Sequence, residues 1–89
     1  MNRPDTLSAL HSACPLGALP AHDRGVIISL DGGRGVVSRL AALGFVPGAE
    51  ISMVQNYGHG PLIVLIQQTR IALGRIEAMR IVVGKETSP

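Results

Sequence analysis

The fold of this chain is decided by residues 39–51, which read RLAALGFVPGAEI. Leu40 and Leu43 lie three positions apart and therefore share one face of a helix. Gly44 follows them, and glycine is the residue that most readily takes the left-handed conformation that ends a helix. Pro47-Gly48 is typical of a type II turn, whose third residue has a positive φ. The stretch predicts a short helix that ends at Gly44, a turn and a following strand.

Local hydrophobic patterns predict five strands and two helical segments. The predicted strands cover residues 24–30, 49–57, 62–68, 69–73 and 81–83, and the helical segments cover residues 36–43 and 75–80. The unbroken run LIVLI in the third predicted strand indicates burial on both faces. Such short strands around an aliphatic interior predict a mainly β protein, a small and partly open β-barrel. The periodicity alone does not distinguish an SH3-like barrel from the oligonucleotide-binding barrel.

The stretch at residues 39–48 resembles the ferrous iron transport protein A family, FeoA. Members of that family carry an Arg-Leu pair on a short helix, a Leu-Gly helix end and a glycine before the next strand. Other positions follow in the order and spacing of the family: Gly17, Gly25-Val26-Ile27, Gly60-Pro61, residues 69–73, Glu77-Ala78 and residues 81–83. The resemblance covers about residues 7–83, and we expect residues 1–89 to form one domain with frayed termini.

The resemblance to FeoA implies an SH3-like barrel and a small cytoplasmic accessory protein of bacterial ferrous iron uptake. The implied partner is the membrane transporter FeoB, which carries a GTPase domain. The mechanism would be contact, with the helix and the loop up to Gly48 presenting a surface to the cytoplasmic region of FeoB.

We assign Arg39, Leu43 and Val46 to this partner-binding surface. An arginine beside an apolar seam can cover the seam with its aliphatic stem and still present its guanidinium to a carboxylate. Arg75 and Arg80, by contrast, are interpreted as ordinary surface charges, as is Glu77.

The composition argues against several classes of function. Hydrophobic residues make up 46% of the chain, but Phe45 and Tyr57 are its only aromatic residues, too few for a surface that stacks single-stranded nucleic acid. The formal net charge is +2 and the arginines are scattered, so no nucleic-acid partner is expected. The sequence shows neither a long apolar span nor a signal-peptide pattern, which predicts a cytoplasmic protein that does not span a membrane. Cys14, the single cysteine, fits a reducing compartment.

Catalytic residues do not form a recognisable motif. The six carboxylates show no paired arrangement, and no serine stands in a nucleophile-elbow context. The glycine-rich loop at residues 31–35 precedes a helix, but it lacks the Gly-Lys-Ser/Thr of a P-loop, and Ser38 stands where a dinucleotide loop has its third glycine. We therefore expect neither an enzyme nor a required cofactor.

The candidate metal ligands are His11, Cys14, His22, Asp23 and His59. His11 and Cys14 have a plausible ligand spacing, and His22 places an imidazole beside a carboxylate. No second pair completes four-coordination, so the interpretation as ordinary surface residues is preferred. If zinc or ferrous iron binds, we expect the ion to be adventitious or to bridge two protomers.

Two alternative functions share this fold class. Domains similar to FeoA end iron-dependent repressors, but a repressor needs a helix-turn-helix domain ahead of the barrel, and the residues before position 24 are too few for one. A function as an iron carrier would depend on the candidate metal ligands, which do not form a complete set. Exposed strand edges also predict self-association into a homodimer when the partner is absent.

Overall fold

The computed structural model describes residues 13–85. This part of the chain forms six strands, two α-helices and one 3-10 helix. In chain order they are β1 (Ala13–Pro15), the 3-10 helix (Leu16–Ala18), β2 (Arg24–Leu30), α1 (Arg34–Ala42), β3 (Glu50–Gln55), β4 (Leu62–Ile66), β5 (Thr69–Leu73), α2 (Arg75–Ala78) and β6 (Ile81–Lys85).

The strands form one sheet in the order β1-β6-β2-β3-β4-β5, and every neighbouring pair is antiparallel. The register shifts between Ile27 and Ser29 on β2 and between Met53 and Gln55 on β3. Such bulges bend a strand and increase its twist, so they curl a sheet around its own core. No pairing joins β1 to β5 within residues 13–85, and the sheet is therefore open, as predicted.

The core is aliphatic, as the composition predicts. Phe45 is its one aromatic side chain among the described residues, whereas Tyr57 is 70% exposed. The other buried side chains come from every strand except β1 and from all three helices or the turns that follow them: Leu16, Leu19, Ile27, Leu40, Ile51, Met53, Leu62, Val64, Ile66, Leu73, Ala78, Ile81 and Val83.

The connection from α1 to β3 matches the prediction from residues 39–51. Gly44 has a φ of +105°, its N–H donates to Ala41 (2.9 Å), and the N–H of Phe45 donates to Leu40 (3.0 Å). These two bonds are the Schellman arrangement, which satisfies carbonyls that the helix end would leave unpaired. Gly48 has a φ of +92°, and the bond from Ala49 N–H to the Val46 carbonyl (3.0 Å) closes the type II turn.

The structure corrects three details. A sixth strand, β1, occupies the opening segment, where no strand was predicted. Strand β4 is buried on one face only, because Leu65 is 37% exposed and Ile63 is half-buried; the predicted burial on both faces is wrong. The chain turns at Gln67 and Gln68, both with positive φ (51° and 65°), so β4 ends earlier than predicted.

Candidate functional site

The short helix α2 is tied to the barrel on one flank by Arg75. Its guanidinium donates to the carbonyl of Gly17 (3.2 Å), the carbonyl of Gly60 (3.2 Å) and the side-chain oxygen of Asn56 (3.0 Å). Asn56 in turn donates to the carbonyls of Gly17 (3.1 Å) and Leu19 (2.9 Å). Arg75 therefore joins α2, the 3-10 helix and the loop between β3 and β4, and its interpretation as an ordinary surface charge is wrong.

The other flank of α2 is tied to α1. Arg39 donates to Glu77 with an N–O distance of 2.6 Å, and the two side chains are 60% and 34% exposed. The second oxygen of Glu77 accepts the N–H of Gly74 at 3.4 Å, at the start of α2. An exposed ion pair contributes at most about 1 kcal/mol, so its main effect is to hold the two helices in one relative position.

Apolar side chains stand exposed on the two helices and the segments beside them. Leu43 is 46% and Val46 37% exposed at the end of α1, and Ile76 is 75% and Met79 53% exposed on α2 and the turn after it. Arg39 and Leu43 lie four positions apart and share one side of α1, and the ion pair of Arg39 with Glu77 reaches α2. The structure thus brings Arg39, a predicted partner-binding residue, to α2, and Leu43, a second one, lies on the same side of α1 as Arg39.

Ile76 and Met79 were not among the predicted site residues. They lie three positions apart, and the side chain that α2 buries is Ala78, with 0% exposure. A small residue lets a one-turn helix approach the core closely, and its larger neighbours then point outward. The signal that could have located them is the pairing of two large apolar residues with a single alanine.

The predicted metal ligands that lie within the described residues are not assembled into a group of three. His22 and His59 are exposed, and Cys14 is half-buried. Asp23 forms an ion pair with Lys85 at 3.1 Å. Within residues 13–85 no group of three or more His, Cys, Asp or Glu side chains is arranged to hold a metal ion. His11 lies outside the described residues.

Cys14 is a poor thiolate donor in this setting. Burial raises the pKa of the Cys14 thiol above its ordinary value, and the positive charge of Lys85 offsets part of that rise. Because metals and electrophiles react with the thiolate, a raised pKa weakens both reactions near neutral pH.

A surface concavity of about 410 Å³ lies elsewhere, across β2, β3 and β4. Its polar lining includes Glu50, Ser52, Gln67 and Gln68. It contains none of the predicted metal-ligating or partner-binding residues, and no buried side-chain polar atom of the described chain lacks a hydrogen bond. The concavity therefore shows no unsatisfied group that would point to a ligand.

None of the helices seen in residues 13–85 has the length and hydropathy that a membrane-spanning helix requires.

Comparison with known proteins finds the same fold and family. Residues 14–85 match the model of the FeoA domain. A protein of Methanocaldococcus jannaschii named "Putative Fe(2+) transport protein A" is 30% identical over 69 residues, which cover 78% of this chain and 83% of that protein.

Solved structures agree with this match. The crystal structure of an iron uptake regulatory protein (FeoA) has a TM-score of 0.80 and 30% identity, over 83% of this chain and 99% of that one. Zinc-complexed FeoA of Stenotrophomonas maltophilia, a prokaryotic SH3 domain protein, has a TM-score of 0.71 and 38% identity, over 80% and 93% of the two chains. A manganese-dependent transcriptional repressor (TM-score 0.76, 20% identity, 83% of this chain and 42% of that one) shares the fold. The predicted SH3-like fold is confirmed.

Proposed function

The chain belongs to the FeoA domain family, and from that premise we propose that it is a cytoplasmic accessory protein of bacterial ferrous iron uptake that acts by contact with the cytoplasmic region of an FeoB-type transporter. It acts without chemistry of its own and without a required cofactor. Its binding changes the conformational equilibrium of the transporter, to the extent that it prefers one state over the other.

One observation carries this proposal: the end of α1 exposes apolar side chains beside a positioned arginine. Leu43 and Val46 are both exposed, and Arg39 is held by Glu77 while its side chain remains 60% exposed. Apolar side chains beside an arginine are typical of protein-binding surfaces. The relatives support the biological setting, since FeoA of Stenotrophomonas maltophilia is itself described as a candidate activating factor of ferrous iron transport.

Uptake of ferrous iron in cells tests the proposal. We expect deletion of the gene to lower uptake, and Arg39→Ala, Leu43→Asp and Val46→Asp to lower it at unchanged protein level. Leu43 is 46% exposed, so aspartate at this position should fold, which circular dichroism would check. Arg70→Ala, at an exposed arginine of β5, is the matched control. Wild-type uptake after gene deletion would contradict the proposed role in transport. Wild-type uptake in all three folded variants would exclude this surface from the contact.

A second candidate function is a metal-binding or metal-responsive module. The observation that favours it is the zinc complex of the Stenotrophomonas maltophilia relative. No group of three potential ligands occurs in the described part of this chain, and in this second candidate function ligands from two protomers complete the site. Such a site predicts a homodimer whose formation depends on the metal.

A further inference from the structure

Helix α2 and the turn after it display two apolar side chains. The contacts of Arg75 and Glu77 form a frame that holds the helix on both sides. Ile76 is 75% and Met79 53% exposed. A helix of four residues does not form by itself, because nucleation costs more than so few bonds return. Arg75, with three hydrogen bonds, and Glu77, with its contact to Arg39, supply the missing stabilisation on either side of Ile76.

Met79 is oriented by the same frame. A Cβ atom built on Gly17 would lie 3.2 Å from the sulfur of Met79, so the side chain of Met79 packs over Gly17 while half of it faces solvent. Ile76 and Met79 are therefore presented in a defined position on the turn.

Arginines without a carboxylate partner among the described residues flank these two side chains in the chain, at positions 75 and 80. The three acceptors of Arg75 are carbonyl and amide oxygens, which leave its charge uncompensated. Arg80 follows Met79, its side chain lies against Gly32, where an added Cβ would be 3.1 Å from the guanidinium, and no ion pair of Arg80 occurs among the described residues. Glu77 is the one carboxylate on α2, and Arg39 already neutralises it.

We propose that Ile76 and Met79 are the anchor of the contact with the transporter and insert into an apolar pocket that carries carboxylates at its rim. This inference rests on the proposed function and places the centre of the contact on α2. Anchors of this kind carry most of the binding energy of an interface, whereas charges at the rim guide association and orientation.

The frame around α2 favours a protein pocket over a lipid surface. Holding a side chain in its bound position lowers the entropy lost when it enters a pocket of fixed shape. A fluid lipid interface imposes no such shape, so it would gain little from the contacts of Arg75 and Glu77. Arginines next to apolar side chains are nevertheless attracted to anionic lipids, and the experiment must separate the two.

The test measures binding of the full chain to the FeoB-type transporter of the same organism in nanodiscs, with empty nanodiscs of the same anionic lipids in parallel. We expect Ile76→Asp to weaken binding to the transporter by about tenfold or more, as loss of an interface anchor does. The matched control is Leu65→Asp on the opposite, outer face of β4, where aspartate would face Arg70 across the strands. It should bind like the wild type. Ile76→Ser is the second variant, and thermal melts check the folding of each.

The contribution of a charge at the rim is measured through the salt dependence of binding. Arg80→Gln should weaken binding by a few fold and reduce its salt dependence, because a rim charge acts through long-range attraction.

Four results would overturn the inference. Wild-type affinity of folded Ile76→Asp and Ile76→Ser would show that α2 lies outside the contact. Loss of binding in Leu65→Asp alone would show the same. Neither result would contradict the proposed function. Equal binding to empty nanodiscs would assign the surface to lipid. Absence of any binding to the transporter would overturn the proposed function as well.

Discussion

The φ of +105° at Gly44 lets the chain leave α1 and turn toward β3. A Cβ atom at this position would lie 3.5 Å from the side chain of Gln67, which is ordinary van der Waals contact. Space is therefore available, and the requirement for glycine comes from the backbone conformation.

Gly44→Val should lower the free energy of unfolding by more than about 1 kcal/mol, because a β-branched residue is strongly disfavoured at positive φ. A thermal melt measures this, and a loss of 1 kcal/mol corresponds to roughly 4–8 °C in a domain of this size. The control is Gly35→Ala in α1, where an added Cβ meets no atom within 4 Å and alanine favours the helix. An unchanged melting temperature for Gly44→Val would contradict the assignment.

Cys14 should react slowly with iodoacetamide at neutral pH. Burial raises the pKa of its thiol and the positive charge of Lys85 opposes that rise, so the rate should increase only at a pH above the range of an unhindered thiol. Lys85→Met removes the opposing charge and should shift the profile to still higher pH. A profile like that of free cysteine, or a shift to lower pH in Lys85→Met, would show that the environment of the thiol is different.

Among the helices, α2 depends most on contacts that its own side chains make with distant parts of the chain. Arg75→Ala removes three hydrogen bonds from a charged donor and leaves the oxygen acceptors to water, so we expect a loss of about 2 kcal/mol or more in the free energy of unfolding. Arg80→Ala, at an exposed arginine, should change it by less than about 0.5 kcal/mol. Urea unfolding of both variants measures the difference, and equal effects would mean that the anchoring contacts of Arg75 contribute nothing.

Truncation of a buried side chain of α1 should lower the free energy of unfolding more than truncation of a half-buried side chain of β4. Leu40 has 0% exposure, and Leu40→Ala should cost about 2–5 kcal/mol. Ile63 is only half-buried, so Ile63→Ala should cost less than Leu40→Ala, contrary to the equal losses that burial on both faces would predict. Denaturant midpoints of the two variants provide the comparison, and equal losses would restore the two-sided interpretation of β4.

For the protein as a whole, we predict no tight zinc or ferrous iron site within one protomer, because the described ligands do not form a group of three. Calorimetric titration with each metal, with light scattering to follow mass, tests this. Binding should be weak, or should accompany dimerisation and be lost in Cys14→Ala or His22→Ala. A stoichiometric complex with a monomer would contradict the prediction, and unchanged binding in both variants would exclude these two ligands.

The short strand β1 shows why part of the fold could not be predicted. It has three residues and ends at Pro15, and among residues 13–85 it pairs with β6 alone, where Cys14 lies opposite Val83. Nothing within a few residues of Cys14 indicates that partner. The strands with five or more residues were predicted because their own apolar patterns indicate them.

The sequence by itself determined the helix end at Gly44, the type II turn at Gly48, the aliphatic core and the family. These depend on backbone preferences of neighbouring residues, on composition, and on motifs that occur in order along the chain. The tertiary structure alone decided that one face of β4 remains open, that Arg75 anchors α2, and that Ile76 points outward. Arg75 and Gly17 are 58 positions apart, and a contact over that separation depends on how the whole sheet folds, which no local pattern records.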